Sequence, residues 1–294
     1  MSFIPSYPEF IPLDLAHKPI FDAAFKESPP EISEFTFTNL FSWRQVYGYK
    51  LCLLDGWLIL RSGAGKNLFL PPIGTGDASG PVRAILLDSR GEFCRVPEDL
   101  ARVFGGDDSF VVREDRDNFD YLYYLSDLTG LAGRKYDGKR NLIRKFKSGY
   151  LYDYADITPA GSSRILEFEQ AWCLMKDCET AEGLENERRA VLEIAEHFAE
   201  FRLSCGVIRV GGVIRAMAVA EALNPETMVM HIFKADSGIP GLYQTMLNEF
   251  LRCRGGNFKY LNLEQDLGIP GLRASKESYH PVRMIKKYTI ALKE

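Results

Sequence analysis

The sequence lacks most of the features that would assign it to a specialised class of protein. No segment contains the roughly 20 consecutive apolar residues that a membrane-spanning helix requires. The first residues carry neither a basic segment nor an uninterrupted apolar one, so a secretory signal is not expected. Glycine (25) and proline (15) are at ordinary levels among 294 residues, which excludes collagen-like and low-complexity chains. We therefore expect a globular, cytoplasmic protein.

Cysteine is sparse and follows no metal-binding pattern. The six cysteines are scattered, and the closest pair, Cys173 and Cys178, has neither a second pair nor a histidine cluster nearby. The chain also carries no HExxH, GxSxG or P-loop motif. We expect six reduced thiols, no metal site and no tightly bound cofactor.

Lysine and arginine are slightly fewer than aspartate and glutamate, but one segment is rich in them. The formal net charge of −4 argues against a surface that coats nucleic acid. Residues 134–147 nevertheless hold seven lysines or arginines, and residues 138–148 read as a helix with one apolar stripe. Its exposed Lys139, Arg140 and Arg144 could hold phosphates of a tRNA acceptor end, a nucleotide or an anionic lipid head group. The alternative is a solvated helix face without a ligand.

The two halves of the chain repeat one order of elements. Asp55-Gly56 and Gly211-Gly212 each favour a tight hairpin, because such turns need positive φ. A short strand, a glycine-containing loop, a helix and a further strand follow each hairpin. We predict a mixed α/β fold of two duplicated domains, residues 1–155 and 156–294, divided near residues 157–163. The alternative is that any two α/β domains share this pattern.

Longer motifs carry a family resemblance. Residues 34–44, 136–146 and 262–282, followed by Lys286-Lys287-Tyr288, resemble the phosphatidylglycerol lysyltransferase C-terminal family. These are tandem GNAT (N-acetyltransferase-like) proteins related to the Fem-type aminoacyltransferases, and the resemblance spans roughly residues 15–294. It implies two GNAT-like domains and transfer of an acyl or aminoacyl group to an amine or hydroxyl. The co-substrate would be an aminoacyl-tRNA or an acyl-CoA.

The loop before the last long helix is the candidate donor site. In GNAT enzymes the donor pyrophosphate lies on such a loop, where backbone N–H groups and the helix dipole attract anions. The predicted donor- or anion-binding residues are Gly238, Ile239, Gly241, Leu242, Lys139, Arg140, Arg144 and Lys234. The usual Q/R-x-x-G-x-G/A pattern is absent and Pro240 has no N–H, which weakens an acetyl-CoA interpretation. A plain strand-to-helix turn remains the alternative.

The C-terminal segment supplies candidate catalytic residues. Acyl transfer needs a base for the nucleophile's proton and an acid for the leaving group. Tyr279 and Glu221 occupy positions where GNAT enzymes often carry their acid and base, and Glu264 and Asp266 are further candidates. The candidate acceptor-pocket residues are Asn262, Arg273, Lys276 and His231. The alternatives are a packed tyrosine, a helix cap at Glu264–Asp266 and an interior histidine.

Three functions therefore remain open. The first is a tandem-GNAT acyl- or aminoacyltransferase in which the acceptor attacks the donor carbonyl directly, since no Cys or Ser is visibly activated. The second is a conventional acetyl-CoA-dependent N-acetyltransferase. The third is a non-catalytic scaffold that binds an anionic ligand. The acceptor, the oligomeric state and any peripheral membrane contact stay undetermined.

Overall fold

The computed structural model describes residues 3–63, 67–176 and 182–293 of the chain. The strands are β1 (Ile11–Pro12), β2 (Lys50–Leu54), β3 (Trp57–Ser62), β4 (Leu68–Phe69), β5 (Glu92–Pro97), β6 (Phe110–Glu114), β7 (Asp120–Tyr124), β8 (Tyr152–Ile157), β9 (Ser204–Val210), β10 (Val213–Asn224), β11 (Thr227–Ala235), β12 (Tyr260–Asn262), β13 (Arg283–Ile285) and β14 (Lys287–Leu292). The α-helices are α1 (Lys18–Glu27), α2 (Phe37–Ser42), α3 (Arg44–Tyr47), α4 (Ser79–Ser89), α5 (Glu98–Phe104), α6 (Leu125–Gly130), α7 (Asp137–Gly149), α8 (Ser163–Lys176), α9 (Glu182–Glu196), α10 (Leu242–Arg254) and α11 (Pro270–Glu277). Within these ranges, no helix is both long enough and apolar enough to cross a membrane.

The described strands form two mixed sheets. The first has the order β1-β2-β3-β4-β5-β14-β6, and the second has the order β13-β7-β12-β11-β10-β9-β8. β4 pairs parallel with β5 and β11 pairs parallel with β12, while the hairpin neighbours pair antiparallel. This arrangement confirms the predicted α/β class with mixed sheets and flanking helices.

Both hairpins form at the dipeptides that predicted them. Asp55 and Gly56 adopt φ of 49° and 85° between β2 and β3. Gly211 and Gly212 adopt φ of 60° and 80° between β9 and β10. Positive φ at both turn positions matches the twist of the flanking strands, which explains why these local signals are reliable.

The second half follows the GNAT-like order expected from the sequence. Helices α8 and α9 precede the meander β9–β10–β11, and α10 connects β11 to the parallel strand β12. Side chains from both helices pack on the meander and form one apolar core, which includes Ile165, Phe168, Val191, Phe198 and Val219. Burial of each such side chain contributes about 1.5–3 kcal/mol.

The described chain divides into two compact units, each built from more than one segment. The first unit comprises Met1–Tyr121, Gln265–Arg273 and Met284–Glu294, and the second comprises Leu122–Glu264 and Ala274–Arg283. Strand pairing explains this division. β8 pairs with β9 in the second sheet, whereas β14 lies between β5 and β6 in the first. Compactness therefore follows long-range pairing, which a composition change near residue 157 does not reveal.

The cysteines differ from expectation at one position. Cys173 is disulfide-bonded, so the expectation of six reduced thiols is wrong there. Cys178, its nearest neighbour in sequence among the cysteines, lies outside the described residues. The thiols of Cys52, Cys94, Cys205 and Cys253 are free.

Candidate functional site

Three ionisable side chains from neighbouring strands meet in the second unit. Glu221 lies on β10, His231 lies on β11, and Glu264 follows β12. The Nε2 atom of His231 is 2.8 Å from Glu221 Oε1, and its Nδ1 atom is 2.8 Å from Glu264 Oε1. The imidazole is only 4% exposed, against 13% and 21% for the two glutamates. We call these three residues the Glu–His–Glu cluster.

A β-bulge places His231 between the two carboxylates. Val219 pairs with Ile232 and Ala220 pairs with Met230, so His231 is an extra residue on β11. Such an insertion bends the strand and changes the direction of the inserted side chain. The imidazole thereby reaches the carboxylate of β10 and also the loop after β12.

The third residue of the Glu–His–Glu cluster, Glu264, lies just after the end of β12. Parallel pairing of β11 with β12 ends at Val229 and Asn262, while β11 continues to Ala235. Glu264 then adopts a left-handed φ of 57°, and its N–H donates to Asn262 Oδ1 at 2.7 Å. Asn262, a predicted acceptor-pocket residue, is thus buried and supports the turn that carries Glu264.

The cluster makes His231 a cation. Burial alone would lower the pKa of His231, but the hydrogen bonds and negative charges of Glu221 and Glu264 raise it to about 10. The ring therefore carries two N–H groups at neutral pH.

A basic cleft of about 560 Å³ forms elsewhere in the second unit. Its lining combines α7 and the turn before it with the turn after α11: Lys135, Gly138, Lys139, Asn141, Leu142, Lys145, Ser278 and His280. Three of these described residues are lysines and none is acidic. Lys135 is paired with Asp127 at 3.3 Å, whereas Lys139 and Lys145 have no acidic partner among the described residues and could hold an anionic group.

Lys139 connects the basic cleft with Tyr279. Its Nζ donates to Ser278 Oγ at 2.6 Å and lies 3.9 Å from the centroid of the Tyr279 ring. Burial lowers the pKa of Lys139. Burial also raises the pKa of Tyr279 well above that of a free phenol. The hydrogen bond with Gln244 has the opposite, smaller effect on that pKa. The Tyr279 hydroxyl is therefore neutral at physiological pH.

The predicted donor loop contacts the basic helix directly. Gly241 has φ of +84°, and a Cβ atom there would lie 2.2 Å from the Leu142 carbonyl oxygen of α7. Only glycine allows this approach of α7 to the first turn of α10. The loop uses several of its own N–H groups, because Gly238 donates to Asp236 Oδ1 and Leu242 donates to the Ile239 carbonyl.

Tyr279 lies two residues beyond the end of α11 rather than within the helix. Its N–H donates to the Lys276 carbonyl, and Lys276 Nζ donates to the Leu263 carbonyl at 2.5 Å. Residues 276–279 thus join the basic cleft to the residue before Glu264. The predicted acid, the predicted bases Glu221 and Glu264, and the donor loop all belong to one unit.

Asp266 and Arg273 lie apart from this group, in the first unit. Asp266 is fully buried and accepts hydrogen bonds from Tyr121, Arg116 and Arg273 at 2.6 to 3.0 Å. Burial would raise the pKa of Asp266, but these bonds and the Gly268 N–H hold it far below its usual range. This carboxylate anchors a loop, and we do not include it in the proposed site.

Several predicted anion-binding cations are already engaged. Lys234 is buried against Glu169 at 2.8 and 3.0 Å. Arg140 donates to Asp137 and to the carbonyls of Leu131 and Gly133. The exposed Arg144 donates to Asn141. Lys139 and Lys145 have no acidic partner among the described residues.

Sequence reasoning missed some members of this site. Lys135 and Lys145 belong to the recognised basic run but were not singled out, and Ser278 and Gln244 were not considered. The signal for Gln244 was weak, since a single polar residue in the first turn of a helix has many ordinary roles. The histidine and glutamates of the cluster were each noted, but not their mutual contact.

One further group of metal-ligating side chains occurs among the described residues. Glu193, Glu196 and His197 on α9 bring their ligand atoms within 4.8 Å of one another. His197 Nε2 also lies 3.7 Å from Glu193 Oε2, as expected for an ordinary helical pair. We therefore propose no metal site on this helix.

Comparisons with known proteins identify two solved structures that share this fold and one partial sequence relative. A conserved protein of unknown function from Bacteroides thetaiotaomicron is 34% identical, with a TM-score of 0.89 over 99% of this chain and 100% of that chain. L-PGS from Bacillus licheniformis is 14% identical and shares the fold, with a TM-score of 0.66 over 100% of this chain and 95% of that chain. An uncharacterised protein of Mycoplasmoides gallisepticum is 25% identical over 183 residues, which cover 61% of this chain and 58% of that protein.

The family assignment follows from a match along almost the whole chain. Residues 25–291 match the sequence profile described as phosphatidylglycerol lysyltransferase, C-terminal. The predicted resemblance rested on residues 34–44, 136–146 and 262–282, all inside that range. The chain belongs to the phosphatidylglycerol lysyltransferase C-terminal family.

Proposed function

We propose that this chain is an acyl- or aminoacyltransferase whose reaction takes place in the second unit. The observation that carries the proposal is the basic cleft beside Tyr279, where Lys139 and Lys145 have no acidic partner among the described residues and Tyr279 is a neutral phenol. The cleft provides charge for an anionic donor, and the phenol provides a proton for its leaving group. Family membership supports the same reaction class.

An aminoacyl-tRNA is the donor that this cleft favours. Lys139 and Lys145 would neutralise phosphates of the acceptor end, as single-stranded nucleic acid requires. A CoA pyrophosphate would need free backbone N–H groups on the donor loop. There, Gly238 and Leu242 already donate within the loop and Pro240 has none to give. The acetyl-CoA alternative therefore has less support.

The proposed reaction is direct attack of the acceptor on the donor carbonyl. A bond forms between the acceptor's nitrogen or oxygen and the carbonyl carbon, and the donor's ester bond breaks. Glu221 takes the proton of the nucleophile, and Tyr279 gives its hydroxyl proton to the leaving oxygen. Water then restores both side chains.

The proposed acceptor is an amine or a hydroxyl compound. The family description names phosphatidylglycerol, and Leu151 just after α7 is 92% exposed beside the basic helix. An apolar residue next to cations suits contact with an anionic lipid surface. Vesicles that contain phosphatidylglycerol are therefore the first acceptor to test.

The donor can be tested by binding and transfer. We expect tRNA charged with a mixture of ¹⁴C-labelled amino acids to bind more tightly than uncharged tRNA or acetyl-CoA. With phosphatidylglycerol vesicles or hydroxylamine as acceptor, label should leave the tRNA in an enzyme-dependent manner. Binding of acetyl-CoA alone, with transfer of its acetyl group, would favour the N-acetyltransferase. Binding of an anion with no transfer from either donor would favour the scaffold.

The basic cleft can be tested separately. We expect the double variant Lys139→Gln/Lys145→Gln to weaken donor binding and to reduce the slope of log K against log salt by about 1 to 2, since each phosphate contact contributes about 0.7–0.9. Lys259→Gln is the matched control, because Lys259 is an exposed lysine of the same unit outside the cleft. Equal salt slopes for both variants would show that the cleft is a solvated surface that does not bind the donor.

A further inference from the structure

His231 faces carboxylates with both of its ring nitrogens. Each nitrogen lies 2.8 Å from a glutamate oxygen, Glu221 on one side and Glu264 on the other. Ionised carboxylates only accept hydrogen bonds, so a neutral ring would direct one nitrogen lone pair at an oxygen lone pair. When both carboxylates are ionised, the contacts are satisfied only if both nitrogens carry hydrogen. The geometry therefore selects the imidazolium form.

We infer that His231 is a positioning residue: a permanent imidazolium that joins Glu221 and Glu264 into one anionic unit and leaves proton transfer to a carboxylate. The second part of this inference rests on the proposed function. A histidine near a reaction centre is commonly a general base, but this ring has no nitrogen left to accept a proton. Its buried position between two partly exposed glutamates agrees with a supporting role.

The proton balance of the transfer step follows. When the acceptor attacks, its proton passes to the Glu221 carboxylate while the new bond to the carbonyl carbon forms. His231 keeps both of its protons throughout. The ester bond of the donor breaks and the leaving oxygen takes the proton of Tyr279. Glu264 holds the other side of the imidazolium, so that Glu221 keeps one orientation.

The same geometry does not suit a shared metal ion. The ring stands between the two carboxylates, and each carboxylate bonds to a different nitrogen. A metal ion would need the ligand atoms to converge on one point.

The protonation state can be measured on the whole, unliganded protein by ¹⁵N NMR of the imidazole rings. The chain has four histidines, and His231→Gln assigns the signal of interest. We expect both ring nitrogens of His231 to remain protonated from about pH 6 to about pH 9, since opposite charges favour the charged form. His17 is the internal control, because it is also buried but burial lowers its pKa. A singly protonated His231 ring at neutral pH would overturn the inference.

A second variant keeps the test independent of whether His231→Gln folds. Glu264→Gln removes one charge and keeps the side-chain shape, so the titration midpoint of His231 should fall by about one pH unit or more. His197→Gln should leave it unchanged. A midpoint that does not respond to Glu264→Gln would mean that the two side chains are not coupled.

Kinetic measurements distinguish a positioning role of His231 from a purely structural one. In the transfer assay, His231→Gln should lower kcat and displace the acidic limb of the pH–rate profile, with KM for the donor changed less than about threefold. His197→Gln should change neither. If the native protein transfers no group, the proposed function fails while the NMR result still stands. If transfer occurs with a neutral His231, only the present inference fails.

Discussion

Two lysines of the second unit show how surroundings decide the role of one residue type. Lys139 lies at the basic cleft and donates to a serine hydroxyl. Lys234 is buried, contacts both oxygens of Glu169, and lies 4.1 Å from the Trp172 ring centroid. An anionic ligand could pair with the first lysine without displacing any acid. The second lysine contributes to the fold instead.

Lys234 is expected to matter for stability and little for ligand binding. Lys234→Met leaves Glu169 buried without its partner and should lower the free energy of unfolding by about 3–5 kcal/mol. The double variant Lys234→Met/Glu169→Leu should recover most of the loss, because the only other acidic partner of Lys234 in the described residues, Glu187, is partly exposed to water. Urea unfolding of the three proteins measures the difference. A single variant as stable as the native protein would show that the pair contributes nothing.

Tyr279 offers the sharpest test of the chemistry. Tyr279→Phe keeps the ring under Lys139 and removes only the hydroxyl that bonds with Gln244. Turnover should fall on the order of 10²–10⁴-fold with donor affinity nearly unchanged. Loss of one hydrogen bond should cost only about 1 kcal/mol of stability. Tyr124→Phe, at an exposed tyrosine of the same unit, is the control, and full activity of Tyr279→Phe would make Tyr279 a packing residue.

At the scale of elements, the contact between α7 and α10 depends on a single glycine. Gly241→Ala would combine a left-handed backbone with a Cβ atom 2.2 Å from the Leu142 carbonyl oxygen. We expect destabilisation by more than about 1 kcal/mol and weaker donor binding, because the two helices must separate.

A second glycine provides the comparison. A Cβ atom at Gly138, near the start of α7, would meet nothing within 4 Å. Gly138→Ala should therefore leave stability unchanged or raise it by up to about 1 kcal/mol. Thermal unfolding of both variants distinguishes them. Similar midpoints would show that α10 can adjust its first turn at little cost.

The elements that the sequence predicted well are those specified by neighbouring residues. The two hairpins needed only Asp55-Gly56 and Gly211-Gly212, and α7 needed only its apolar stripe and basic face. The elements that it did not predict depend on distant partners. Nothing local to β14 indicates that it pairs with β5 and β6.

The candidate site shows the same distinction. The sequence identifies Glu221 and Glu264 as candidate catalytic residues and His231 as a candidate acceptor-pocket residue, each separately. Their convergence depends on the bulge at His231 and on the left-handed turn at Glu264, which no short motif encodes. Asp266 is close to Glu264 in sequence, yet it belongs to the other unit. Sequence distance is thus a poor guide to which carboxylates act together.

At the scale of the whole molecule, the two units should respond differently to pH. The pKa of His231 is raised to about 10, so its contribution is complete below about pH 6.5 and is lost as the pH rises towards 10. The pKa of Asp266 is lowered, so its contribution is present above its ordinary value of 3.8 and is lost as the pH falls below it. The first unit should weaken in acid and the second in alkali.

Urea unfolding at several pH values tests this expectation. Between about pH 7 and pH 10 the native protein should lose a few kcal/mol more than His231→Gln does, and both should respond alike to acid. His197→Gln should follow the native curve throughout. Parallel curves for the native protein and His231→Gln in alkali would show that the Glu–His–Glu cluster does not stabilise the fold.

The position of β14 also has a consequence for how the protein is made. Strands β5 and β6 leave the ribosome early, but the strand that separates them is translated about 170 residues after β6 ends. At 5–20 residues per second, β14 is synthesised roughly 10–35 s after β6, and until then the first sheet lacks this strand. During that interval the facing edges of β5 and β6 present backbone groups that any other strand could pair with. The nascent chain should therefore depend on chaperones that shield strand edges, and slow translation should lower its yield.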